Sequence, residues 1–141
     1  MIQFEECLRK NKIVKTKPDK ELANSEIREA EYDLESAKEE LKKEGWKWST
    51  DKAYYSMFHT IRGLLLMKGY KERYSHICAI IAFDEIFIKS GIIPNKFLEY
   101  IKQGKNRRED AIYSSVYSKE IANRYVDAAE ELLNEAKKLI E

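Results

Sequence analysis

The sequence predicts a single all-α domain, and three observations predict it. Proline and glycine are scarce, two and five in 141 residues, so few positions force the chain out of regular structure. The alternation of β-branched and polar residues that marks a half-buried strand is missing, which leaves strands almost no support. Apolar residues recur instead at steps of three and four, the period of a helix with one face in a core. The length suits one core of ordinary size and is short for two, so residues 1–141 read as one domain.

A short amphipathic segment from Ile2 to about Asn11 opens the chain, and Pro18 and Asp19 close a polar stretch as the entry to a second helix. There Ile27, Ala30, Leu34, Ala37 and Leu41 form one apolar stripe before Gly45 ends the element. Ser49 or Thr50 caps a third helix that runs to Met67 and stops at the basic Lys68 and at Gly69. At 100° per residue this helix has two faces, with Ala53, Met57, Ile61 and Leu64 on one and Tyr55, His59, Arg62 and Leu66 on the other. A helix of that kind sits at the centre of a bundle, its second face meeting another helix or another subunit. Tyr55, His59, Arg62 and Leu66 are accordingly the candidates for a homodimer interface.

The fourth helix starts near Ser75 and ends by Ser90 and Gly91, with a wide apolar face that includes Ile77, Ile80, Ile81 and Phe87. Pro94 suits a first helical turn, and Phe97, Tyr100 and Ile101 give the fifth helix its apolar side before Gly104 loosens the chain. The last helix begins after Ser118 and carries Ile121, Tyr125, Ala128, Leu132, Ala136 and Leu139 on its stripe. The expected core is Ile27, Leu34, Met57, Ile61, Leu64, Ile80, Leu132 and Leu139.

Composition narrows the function. Lysine and arginine number 26 against 25 acidic residues, so no global field attracts nucleic acid or membrane, and any anion-binding surface is local. The N-terminus is acidic where a signal peptide needs an apolar stretch, and no apolar run approaches a membrane span. Cys7 and Cys78 match no metal-ligand spacing and are too few to staple a secreted miniprotein, so a reducing cytoplasm is the expected location. Glutamate and lysine dominate the charged set while glutamine is nearly absent, a bias reported for proteins of hot environments and one that a helical protein also favours.

Chemistry-bearing residues are few. Arg107, Arg108 and Tyr113 stand together next to Gly104: an arginine pair can hold a phosphate bidentately, and a tyrosine can stack on a base or donate its hydroxyl. The plainer alternative is that these arginines pair with Glu109, Asp110 or glutamates of the last helix. His59 and His76 lack partners at ligand spacing, so neither a metal site nor a cofactor is expected, and both read first as packing residues. Trp46 and Trp48 flank the start of the third helix, where an apolar staple is the simpler role. No phosphate loop, dinucleotide fingerprint or nucleophile elbow is present.

Taken in order, Asp51-Lys-Ala-Tyr-Tyr-Ser-Met-Phe-His59, the Gly69 turn followed by His76, and Arg108 through Tyr113 ahead of Ser118-Lys-Glu-Ile-Ala122 resemble the HEPN family over nearly the whole chain. The tandem aromatic pair and the Arg-x-x-Ala-x-Tyr run are similar to those of a compact prokaryotic branch. The resemblance implies an antiparallel bundle of about five helices that dimerises through central helices, and a place in a toxin and antitoxin module with a minimal nucleotidyltransferase as partner. In catalytic branches an arginine is followed a few residues later by a histidine, and two such pairs across the dimer make a metal-independent ribonuclease. Here Arg108 matches the arginine, Tyr113 occupies the histidine position, and Ile112 stands where the similar branch usually has aspartate. A phenol with a pKa of about 10 is a poor general base at neutral pH, where imidazole at about 6.5 is suited to the work. The resemblance therefore implies a dimer that binds a nucleotidyltransferase, and nucleotide or RNA through Arg107, Arg108 and Tyr113, with catalysis by Arg108 and Tyr113 weak or lost. An active ribonuclease built on Arg108 and a purely structural dimer are the two alternatives.

Overall fold

The computed structural model describes residues 2–109 and 117–141, with the side chains of 106–109 outside the description. Among the described residues the chain forms α1 (Phe4–Arg9), β1 (Ile13–Lys15), α2 (Lys20–Lys42), α3 (Trp46–Met67), β2 (Tyr70–Glu72), α4 (His76–Phe83), a π-helical turn (Asp84–Ile88), α5 (Lys96–Glu109) and α6 (Lys119–Ile140). The all-α expectation holds: α2 and α3 are an antiparallel pair, α6 packs along both, and α4 and α5 pack against α3.

Three of the helix starts follow from local chemistry. Asp19, Ser75 and Ser118 each cap a helix by accepting a bond from the backbone amide three residues on, Leu22, Cys78 and Ile121. The third helix starts earlier than expected, at Trp46 behind Gly45, and neither Ser49 nor Thr50 caps it. Both are buried within the helix instead, Thr50 bonding back to the Trp46 carbonyl and Ser49 crossing to α2.

That crossing is one of a series. Ala23, Ala30 and Ala37 recur every seventh residue on α2, and Gly63, Ser56 and Ser49 do so in reverse on α3. A Cβ on Gly63 would lie 3.2 Å from the Ala23 carbonyl oxygen, and the hydroxyls of Ser56 and Ser49 donate to the carbonyls of Ala30 and Ala37 at 2.7 and 2.8 Å. Three small residues meeting three alanines let the two backbones approach closely, and the seven-residue step keeps the seam in register along a left-handed crossing. The serines satisfy their own hydroxyls in the act.

The expected core is buried at Ile27, Leu34, Met57, Ile61, Leu64, Ile80 and Leu132. Leu139 is the exception at 45 % exposed, and Ile140 is buried in its place. From Leu132 the inward stripe steps by four to Ala136 and by four again to Ile140, which turns Leu139 toward solvent. Gly104 does not loosen the chain either: it lies inside α5, where a Cβ would come within 2.5 Å of the Tyr54 ring.

Two further expectations are corrected in the N-terminal arm. β1 and β2 form an antiparallel ribbon with Ile13 opposite Glu72 and Lys15 opposite Tyr70. Each strand is three residues long, too short to show a period, and Gly69 sets up the pairing at φ +84°, with its amide carbonyl accepting from Thr16. Cys7 and Cys78 are joined in a disulfide that ties α1 to α4, across 71 residues of sequence. Intracellular proteins of hyperthermophiles also carry such bonds, so the pairing does not decide the compartment. Among the described residues no helix is long and apolar enough to cross a membrane.

Candidate functional site

The arginine-tyrosine motif is only partly described. Arg107 and Arg108 belong to the last turns of α5, their side chains lie outside the description, and Tyr113 lies outside the described residues. Their surroundings are visible on both sides. Gly104 rests on Tyr54, and Tyr117 donates from its hydroxyl to Asp51 at 3.2 Å. The chain thus enters and leaves the motif beside the first turns of α3.

Tyr55, His59 and Arg62 lie in a row on α3 and are each partly exposed, whereas Leu66 is buried. The row already has partners within the chain. His59 Nδ1 meets a Glu26 carboxylate oxygen at 2.6 Å, and its Nε2 lies 3.6 Å from Asp33. Both carboxylates come from α2, seven residues apart, so they present to the same side of that helix. The hydrogen bond that His59 donates to Glu26 is the main force that holds the His59 pKa above its ordinary value, helped by the charges of Glu26 and Asp33 and opposed by burial and by Arg62. Asp33 is itself pushed up, because burial outweighs the attraction of His59.

One turn farther along, Arg62 grips Glu72 of β2 with Nε at 2.9 Å and a terminal nitrogen at 2.8 Å, and its guanidinium lies 4.9 Å from the centre of the Phe58 ring. The other oxygen of Glu72 accepts the Ser75 amide, and Ser75 in turn caps α4. Glu72 therefore fastens α3, the ribbon and the start of α4 together. His76 stacks close to Phe58, ring centres 4.1 Å apart, in the packing role expected of it. Sequence reasoning found His59 and Arg62 but not their partners, because the pairs span 33 and 10 residues and no local pattern announces them.

Beside this row an open cleft of about 530 Å³ lies between the helices and the ribbon, lined by Glu26, Arg62 and Leu66 on one side and by Lys71, Arg73 and Tyr74 on the other. Among the described residues no group of three or more histidine, cysteine or carboxylate side chains is placed to hold a metal ion. The charged row pins α3 to α2 and to the ribbon.

The model of the HEPN domain matches residues 23–141. A protein of Methanocaldococcus jannaschii described as a candidate toxin is 29% identical over 116 residues, 81% of this chain and 78% of that one. UPF0332 proteins of Pyrococcus horikoshii and Thermotoga maritima are similar as well, the first 35% identical over 57% of this chain and 56% of its own length, the second 28% identical over 81% and 87%.

Proposed function

Since the chain belongs to the HEPN family, we propose that it is a toxin-like HEPN subunit of a toxin and antitoxin module, acting as a homodimer that binds a minimal nucleotidyltransferase and, through Arg107 and Arg108, nucleotide or RNA. The observation that carries this reading is the family match over residues 23–141, joined by the similarity to a protein described as a candidate toxin. A cytoplasmic location goes with it.

The chemistry at the motif favours binding over cleavage. Arginine stays protonated, so it neutralises phosphate and the charge that develops on it, but it cannot shuttle the proton that attack by a 2′-hydroxyl requires. Tyr113 at the family's histidine position holds its proton too tightly for efficient base catalysis at pH 7. The histidine that does lie on α3, His59, is already engaged by Glu26 and Asp33. Loss of a general base removes about two to four orders of magnitude in rate. The dimer face of this reading is Tyr55, His59 and Arg62 with Leu66 behind them.

The test is cleavage of single-stranded RNA by the purified protein in chelator. Slow or no cleavage is expected, with cleavage appearing in Tyr113→His and nucleotide binding weakened in Arg108→Ala. Robust cleavage by the unmodified protein, abolished by Arg108→Ala, would establish the ribonuclease alternative. A monomer mass at micromolar concentration would remove the dimer.

A further inference from the structure

The β1–β2 ribbon assembles charge that neither segment shows alone. Its register continues by one pair beyond the strands, since the Arg73 amide donates to the Lys12 carbonyl at 2.8 Å. Lys12 thus stands opposite Arg73, and Val14 opposite Lys71. Residues alternate sides along a strand, so Ile13 and Glu72 turn inward, where Ile13 is 1 % exposed and the Glu72 side chain 2 %. Lys12, Lys71 and Arg73 fall on the outer side, and all three are exposed. Next to them Tyr74 stands 95 % exposed at φ +54°, a left-handed conformation that is uncommon for a non-glycine residue.

The carboxylates of the adjoining cleft do not cancel this charge. Glu72 is held by Arg62 and Glu26 by His59. Lys12, Lys71 and Arg73 have no carboxylate within ion-pair distance among the described residues. The outer side of the ribbon therefore gathers three cations, two of which, Lys71 and Arg73, reach the rim of the cleft beside the open ring of Tyr74, on a protein whose total charge is only +1.

We propose that the outer side of this ribbon is a binding site for single-stranded nucleic acid, with Lys12, Lys71 and Arg73 on phosphates and Tyr74 stacked on a base. Alternate residues of one strand lie about 7 Å apart, which matches the separation of successive phosphates in an extended single strand. Cations that track a backbone beside a free aromatic face are the general solution for binding single strands without reading their sequence. Duplex offers no base face to Tyr74, so single strands are preferred. All four residues come from one chain, so the site needs no dimer. It is also separate from Arg108: Arg62 at the cleft and Asp51 near the motif are eleven residues apart on α3, about 16 Å along the axis.

Fluorescence anisotropy with a short labelled oligouridylate, the matching oligothymidylate and a duplex tests this. The Lys12→Gln, Lys71→Gln, Arg73→Gln triple variant should bind the single strands at least tenfold more weakly, and its log–log salt slope should fall by about 2, the value for three phosphate contacts to a single strand. Tyr74→Ala should lose about tenfold with the slope unchanged, since it removes stacking and no charge. Circular dichroism and melting of each variant verify that the bundle is intact. Equal affinity and slope in wild type and triple variant, tighter binding of duplex than of single strand, or no binding by wild type at about 50 mM salt would each overturn the proposal. Arg108→Ala is the separating control: a loss there with the ribbon variants unmoved refutes the ribbon site and leaves the motif reading standing, and the reverse result does the opposite.

Discussion

Two sides of α3 are built from opposite materials. Toward α2, Ala23, Ala30 and Ala37 meet Gly63, Ser56 and Ser49 through the smallest side chains the code offers, and nothing on that seam titrates. On its neighbouring, more exposed side the same helix presents His59 to Glu26 and Asp33 of α2 and Arg62 to Glu72 of the ribbon, with an open cleft beside them. The first side gains from close packing and from burial of apolar surface, which carry no titrating group and respond little to pH. The second depends on charge states and on an arm that hydrogen bonds, one ion pair and a disulfide hold in place. A seam of the first kind fixes the fold, and a surface of the second kind can respond to its surroundings.

The sharpest way to break the comparison is to damage the sealed side and see whether the whole molecule feels it. Leu132 on α6 has no exposed surface, so Leu132→Ala leaves a cavity that the surrounding helices only partly fill. Chemical denaturation should show a loss of about 2 to 5 kcal/mol in a single transition. A midpoint unchanged from wild type would mean that α6 is not part of the cooperative unit.

On the other side the largest lever is the disulfide. A loop closed over 71 residues is worth about 4 kcal/mol in the chain-entropy account. Because the bond joins α1 to α4 and not the long helices to one another, Cys7→Ser should loosen the arm first. Hydrogen exchange is expected to speed at the amides of Thr16 and Arg73, which bridge the ribbon, while the α2 and α6 amides stay protected. Uniform acceleration across all helices would show that arm and bundle open together.

The contrast also explains which features were legible in the sequence. Caps at Asp19, Ser75 and Ser118 were readable because a cap is chemistry within three residues, and the stripes of α2, α3 and α6 because burial repeats with the helix. Ser49 looked like a cap because its type suits one. Its place in a seven-residue row with Ser56 and Gly63 lies in the sequence too, but a search for apolar period passes over small polar residues. Ribbon, disulfide and the partners of His59 join residues distant in sequence, and three-residue strands carry no pattern to read. The motif of Arg108 and Tyr113 was legible only through resemblance to a family, since two arginines beside acidic residues equally describe a solvated surface.

The smallest expected effect is the one that most directly sharpens the comparison, because it isolates charge. His59 keeps its proton more firmly when folded than when unfolded, chiefly through the hydrogen bond with Glu26. A group whose folded pKa is raised contributes stability that is complete below its unfolded value of about 6.5 and is lost as pH rises through the folded value. Asp33 acts in the same direction at lower pH: its raised folded pKa means that the folded state binds the proton more tightly, so ionising it as pH rises through the acidic range also lowers stability. Above pH 6.5 the His59 contribution is the one that His59→Gln isolates, and a partly exposed pair of this kind is worth about 1 kcal/mol or less. Wild type should thus melt at a slightly lower temperature at pH 8.5 than at pH 6, and His59→Gln should flatten that difference while Leu132→Ala leaves it intact. A pH dependence equal in wild type and His59→Gln would show that the charged side of α3 is no more responsive than the sealed one.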